Sequence, residues 1–402
     1  MKQKRLMLLG GIRYLLPVIE AAHRQGYYVL TADYLPDNIA HKYSDEYVNV
    51  NIVDREAVFE AARARKIDGI MSFGVDPGVV SAAYVQSKLG LPAFGPFESV
   101  EILQNKDRFR AFLKENGFNT PRSKGYASVE EAVKDASSWT YPVIVKPTDS
   151  AGSKGVSKVE SPDGIRAAAV TALGSSISKH IIIESFLTAE GCSSDTDSYL
   201  EDGKLKFVSF SAQRFDKQAA NPYTPSAYTW PATFTDDQVR YLTDELQRLL
   251  SLLKMRTGVY NIETRIGPGG IPYIMEVTPR GGGNRLAEVL RLATGVDMIT
   301  ACVRDCVGDP AVEPIEQKDY NGHWAEIILH SDNNGLYQGL VIDEKYRPYV
   351  VEEDVWVAPG QSVDAFHGAN AAIGTLVLRF SDPETMEYAI THQREWLRII
   401  TK

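Results

Sequence analysis

Cysteine is scarce in this 402-residue chain, which holds only Cys192, Cys302 and Cys306. Three thiols cannot build a disulfide framework and suit a reducing compartment, so the expected location is cytoplasmic. Cys302 and Cys306 lie four apart on an expected helix, but no His or Cys partners complete a zinc pattern, and they read as structural filler. Positive charge is also short: 43 Lys and Arg stand against 52 Asp and Glu, a formal net charge of −9. Phosphate backbones demand a basic footprint, so nucleic acid is not an expected partner. No run of 18 apolar residues occurs, and no membrane partner is expected. The opening MKQKRLMLLGGIRYLL has the start of a leader, but Arg13 interrupts the apolar run and no small-residue cleavage site follows; a first strand explains it better. Two phosphate motifs are missing as well. Gly10-Gly11-Ile12-Arg13 lacks the spacing of a dinucleotide fingerprint, and no G-x-x-x-x-G-K-[ST] occurs.

What is present is organised around residues 260–284, YNIETRIGPGGIPYIMEVTPRGGGN. Two apolar runs each hold one misplaced acid, Glu263 in VYNIETRI and Glu276 in YIMEV, and GPGG between them predicts a hairpin. A hairpin brings two distant carboxylates onto one wall, where they suit a hard divalent cation such as Mg2+. Thr278-Pro279-Arg280 adds a fixed cation just beyond, suited to a carboxylate or an anionic intermediate, and GGGN lets backbone approach closely. A solvated surface hairpin is the bland alternative.

Elsewhere, strands alternate with helices up to residue 95, which implies a parallel sheet covered on both faces. A connecting helix, SVEILQNKDRFRAFLKENGF, carries Lys106. The strand PVIVK then ends in Lys146 and runs into TDSAGSKGV, a loop of small residues whose N–H groups can wrap anionic oxygens. A lysine closing an apolar strand is costly if buried unpaired, which points it at a phosphate. HIIIESFL offers backbone to an adenine edge, with Glu184 or Glu190 available for an exocyclic amine or ribose hydroxyls. The stretch NPYTPSAYTWPATF reads as a long aromatic loop beside a substrate, with Tyr223, Tyr228 and Trp230 as partly apolar contacts. Arg214 and Lys217 are further acid-substrate contacts or, more simply, a solvated strand edge.

The order of these pieces resembles the ATP-grasp superfamily over nearly the whole chain. The C-terminal part and PRGGGNRLAEVLRLATGVD resemble its biotin-carboxylase-like and L-amino-acid-ligase-like branches. The resemblance implies a mixed α/β and α+β chain. It would comprise an N-terminal mononucleotide-like parallel sheet (residues 1–95), a linker helix (96–120), two ATP-grasp lobes (121–187 and 188–315) and a small α+β domain (316–402). It implies ATP with Mg2+, or Mn2+ in its place, and small carboxylic acid and amine substrates, and it allows a homodimer. Residue by residue, Lys106 and Lys146 resemble the phosphate lysines. Ser150, Gly152, Ser153, Gly155 and Val156 resemble the glycine flap. Glu184, Phe186 and Leu187 resemble the adenine hinge, and Glu190 the ribose contact. Glu263 and Glu276 resemble the metal carboxylates, with Thr278 where the family usually has Asn. Arg280 resembles the arginine that steadies the acid, and with Lys146 it would be catalytic. The implied reaction is ADP-forming amide synthesis through an acyl phosphate. The alternatives are a carboxylase or purine-biosynthesis-type ligase, or a silent nucleotide-binding module.

Overall fold

The computed structural model describes residues 3–150, 152, 154–309 and 312–402. Its first unit is a four-stranded parallel sheet in the order Glu46–Asn49, Tyr28–Asp33, Arg5–Leu9, Gly69–Ser72. Both faces of Arg5–Leu9 are buried, which is why RLMLL shows no polar alternation. Cys306 lies against this sheet from the helix Met298–Cys306, with its Sγ donating to the Ile70 carbonyl. All three cysteines are free.

The connecting stretch is two helices, Phe97–Gln104 and Lys106–Glu115, rather than one. Asn105 breaks it and caps the second helix by accepting from the Asp107 and Arg108 N–H groups. Lys106 therefore begins a helix, and Arg110 lies one turn further on the same face.

Next comes a four-stranded antiparallel sheet, Ser123–Tyr126, Ile181–Ser185, Val143–Pro147, Ser157–Val159, whose core includes the helix Ile165–Ser175. The central sheet, also antiparallel, runs Lys204–Phe207, Ser194–Glu201, Gly258–Ile266, Pro272–Thr278. In GVYNIETRI, Ile262, Thr264 and Ile266 are buried while Asn261, Glu263 and Arg265 are partly open, the alternation of a sheet with one wet face. Leu242, Leu246, Leu249 and Leu250 of the helix Asp236–Leu252 share a core with Ile262, Ile266, Ile274 and Val277.

One expectation is corrected. The stretch 220–235 is not one long loop: Pro225–Trp230 is a strand, with Tyr228 and Trp230 buried and only Tyr223 exposed. Aromatic residues at alternate positions carried that signal, masked by the flanking prolines. The strand lies between Ala212–Phe215 and His323–Leu329 in a five-stranded sheet completed by Gly374–Phe380 and Val350–Val355. That sheet therefore draws strands from both sides of residue 316. The helix Pro383–Thr391 is followed by a short helix, Gln393–Trp396, and Leu397–Thr401 is a strand paired with Gly335–Ile342. Among the described residues, no helix is long and apolar enough to cross a membrane.

Candidate active site

Glu263 and Glu276 are direct cross-strand partners in the hairpin, and Asp195 is the partner of Glu263 on the other side. Directly opposed residues share a sheet face, so three carboxylates form a row across three strands. The next row, two residues along, is Asp197, Asn261 and Thr278. The Asn261 side-chain amide donates to Asp195 at 2.9 Å and to Asp197 at 3.1 Å, fixing both acids. Burial, reinforced by Glu263, pushes the Asp195 carboxyl up to about 7, and burial pushes Asp197 up to about 6. So much hard oxygen on one face fits a divalent cation such as Mg2+, which Glu263 and Glu276 could hold. Thr278 differs from expectation: it is buried, and its hydroxyl accepts from Gln104 Nε2 at 3.2 Å.

The helix beginning at Lys106 supplies two cations to this wall. Lys106 Nζ lies 3.2 Å from Glu276 and 3.3 Å from the Ser150 carbonyl, so it bridges the hairpin and the glycine loop. Burial lowers its pKa, but the Glu276 charge overcomes this and leaves it raised. Arg110 donates to Glu184 at 2.7 Å and to the Met275 carbonyl at 2.8 Å. Lys146 reaches the other Glu184 oxygen at 2.6 Å. Burial would raise the Glu184 carboxyl, but the charges of Arg110 and Lys146 hold it down at about 2.

In the glycine loop, Ser150 Oγ donates to the Lys154 carbonyl at 2.8 Å. Gly152 and Gly155 have φ of +64° and +73°, a region that favours glycine, and Gly152 has open space where a Cβ would project. Val156 is exposed. Ser153 lies outside the described residues. Asp149 anchors the loop base by accepting from the Ile177 and Ser178 N–H groups.

At the hinge, both acidic side chains are engaged within the protein. The Glu184 side chain does not face a ribose, because Lys146 and Arg110 enclose it. The Glu190 carboxylate accepts from the Gly269 and Gly270 N–H groups at 2.8 and 3.0 Å, so in this structure it caps the hairpin turn instead. The Phe186 N–H donates to the Pro142 carbonyl, and Lys158 sits over the Phe186 ring at 4.5 Å. The Leu187 carbonyl accepts from Arg265 at 3.1 Å.

Arg280 is buried and holds Asp76 through Nε at 2.9 Å and a terminal nitrogen at 2.6 Å. This joins the first parallel sheet to the wall. The glycines that follow are there for close approach: a Cβ on Gly281 would fall 2.1 Å from the Phe73 ring, and one on Gly282 would fall 2.6 Å from Leu286. The Gly282 N–H donates to both Asp197 oxygens. Asn284 and Arg285 both turn with positive φ. Asn284 is held between Tyr14, which donates to it at 2.7 Å, and Tyr228, to which it donates at 3.2 Å; Tyr228 then donates to Asp195 at 3.3 Å. Arg214 is paired with Glu387 and is largely buried, while Lys217 is exposed, so only Lys217 fits a solvated strand edge.

Sequence reasoning missed Asp195, Asp197, Asn261, Arg110 and Asp76. For the two strand acids the signal was present: DTDSYLE places them two apart, on one face of a strand. Arg110 was four residues from Lys106. Nothing local marks Asp76.

Residues 139–288 match the sequence model of the ATP-grasp domain family. The carbamoyl phosphate synthase large chain of Thermotoga petrophila is 24% identical over 287 residues, 71% of this chain and 26% of that one. The formate-dependent phosphoribosylglycinamide formyltransferase of Synechococcus is 31% identical over 186 residues, 46% of this chain and 48% of that one. The chain thus spans a quarter to a half of the length of these relatives. Among solved structures, L-amino acid ligase from Bacillus licheniformis superposes with a TM-score of 0.82 at 20% identity, covering 100% of both chains. The biotin carboxylase domain of Hydrogenobacter thermophilus 2-oxoglutarate carboxylase, solved with MgADP and bicarbonate, gives 0.76 at 15% identity, covering 100% of this chain and 91% of that one. At these identities the superpositions establish the fold.

Proposed function

We propose that this chain, whose residues 139–288 are an ATP-grasp domain, is an ADP-forming ligase that joins a small carboxylic acid, an amino acid or a close analogue, to an amine. One observation carries the reading: the register that sets Asp195, Glu263 and Glu276 side by side, with Lys106 bridging Glu276 to the glycine loop. A carboxylate is a poor acyl donor because oxide is its leaving group. Moving the γ-phosphoryl group onto it gives an acyl phosphate and ADP; an amine then attacks the carbonyl carbon and inorganic phosphate departs. The protein's work is alignment and charge neutralisation. Lys106, Lys146 and the loop amides face the triphosphate. Mg2+, when bound at Glu263 and Glu276, would neutralise phosphate charge. Arg280, held by Asp76 and by the Gly281 carbonyl, offers its remaining N–H groups to the acid and then to the oxyanion of the tetrahedral intermediate. The Leu187 N–H, which makes no hydrogen bond among the described residues, is available to the adenine edge.

The identity with the formyltransferase favours a second reading, in which the same site phosphorylates formate or bicarbonate. Purified protein with ATP and Mg2+, challenged in turn with formate, bicarbonate and single amino acids, separates the two by which addition releases ADP. ADP release that no acid stimulates overturns the ligase reading.

A further inference from the structure

Glu326 is fully buried, and among the described residues neither of its carboxylate oxygens has a hydrogen-bond partner. It lies in the strand His323–Leu329, directly opposite Tyr228, so the two side chains share one face of the sheet. On that face the Tyr228 hydroxyl donates to Asp195, at the end of the carboxylate row. Glu326 is also within electrostatic reach of Asp195, Glu288 and Arg285. The one cation among these is already engaged: Arg285 donates to Glu288, Glu352 and Thr375. Buried acidity therefore exceeds buried positive charge beside the acid site. An unpaired buried carboxylate is costly, and burial drives its pKa well above the usual range. A positively charged ligand nearby would relieve that cost.

The chemistry of that ligand can be narrowed. A metal ion needs several ligand atoms converging on one point. Glu326 belongs to no group of three such donors among the described residues, whereas Glu263 and Glu276 are a pair whose cation would be completed by phosphate oxygens and water. An organic ammonium needs only one or two acceptors. Nor can it be the attacking amine, because an amine gripped in its protonated form has no lone pair to donate.

We propose that Asp195 and the Tyr228 hydroxyl, backed by the charge of Glu326, anchor a protonated amino group carried by the acid substrate. Glu326 acts through Tyr228 and Asp195 and is a positioning residue that selects amine-bearing acids. This rests on the ligase reading above and names the residues that choose its substrate.

The test isolates the acid site by using hydroxylamine as the nucleophile and measuring hydroxamate and ADP. Matched acids are compared: alanine with propionate, leucine with 4-methylpentanoate, phenylalanine with 3-phenylpropionate. The intact protein should favour the amino member of a pair by about tenfold or more in kcat/KM. Glu326→Gln should raise KM for that amino acid by about tenfold, leave its kcat and the KM for ATP within about twofold, and leave the deamino acid unaffected. Glu326→Asp should recover part of the loss. Tyr228→Phe, which removes one hydroxyl, should shift the same KM in the same direction and decides the matter if Glu326→Gln does not fold. Equal use of both members of every pair overturns this inference alone, as does a Glu326→Gln or Tyr228→Phe protein whose preference is unchanged or whose constants all fall together. No hydroxamate from any acid overturns the ligase reading, and this inference with it.

Discussion

Lys106 closes a 3.2 Å ion pair on Glu276, and with it the first residue of a helix is locked to the second strand of the central hairpin. The same ammonium touches the Ser150 carbonyl, so one side chain ties the carboxylate wall to the glycine loop. The Asn105 cap makes this possible, because it starts the helix where Lys106 and Arg110 both project into the site.

Glu276→Gln keeps the shape of the side chain and removes the charge that both Lys106 and a divalent cation require. Acid-dependent ADP release should fall by at least about a hundredfold, the scale of losing a positioned charge in the transition state. Circular dichroism and the melting temperature should stay near those of the parent. Turnover within a few-fold of the parent would remove Glu276 from the metal site.

Arg110→Ala leaves Glu184 buried with Lys146 as its only cationic partner and frees the Met275 carbonyl. Removing one partner of a buried ionic cluster costs roughly 3–5 kcal/mol. The variant should melt markedly lower, and ATP should bind more weakly, because Lys146 is then drawn wholly to Glu184. Arg110→Lys should recover part of the stability. An unchanged denaturation midpoint for Arg110→Ala would show that Lys146 alone satisfies Glu184.

The pH dependence follows from the same cluster. The Glu184 carboxyl sits at about 2 in the folded protein, against an ordinary value of 4.5. A depressed folded-state pKa gives stability that is present above the unfolded value. That stability is lost as pH falls from about 4.5 toward about 2, and by linkage the contribution is roughly 3 kcal/mol. Chemical denaturation at pH 7, 4 and 3 should therefore show stability falling with pH, with a smaller fall in Glu184→Gln than in the parent. Equal slopes for the two proteins would exclude Glu184 as the source.

The comparison of sequence with structure has a physical pattern. Glu263 and Glu276 were legible because each is an acid inside an apolar strand, and GPGG fixed their pairing. Lys146 stood out as a cation at the end of VIV, but its partner Glu184 did not, because the pairing depends on the register of two strands distant in sequence. Arg110 and Asp76 were not legible, because their importance comes from partners at Glu184 and Arg280 that lie distant in sequence. The turn contacts of Glu190 were not legible, because a carboxylate just after a hinge strand looks the same whether it meets a ribose or caps a turn. The strand Pro225–Trp230 was read as loop because its partner, His323–Leu329, arrives almost a hundred residues later.

The Thr278 hydroxyl is buried and receives the Gln104 amide, so it joins the helix Phe97–Gln104 to the hairpin. Thr278→Val preserves the shape and leaves the Gln104 N–H without its acceptor, at a cost of about 1–3 kcal/mol. Denaturant titration should register that loss. The Mg2+ concentration giving half-maximal ADP release should meanwhile stay within about twofold of the parent, since ligation by oxygen is left to Glu263 and Glu276. A tenfold rise in the Mg2+ requirement would instead make the Thr278 hydroxyl a ligand, and the Gln104 contact would then be an arrangement that the bound metal replaces.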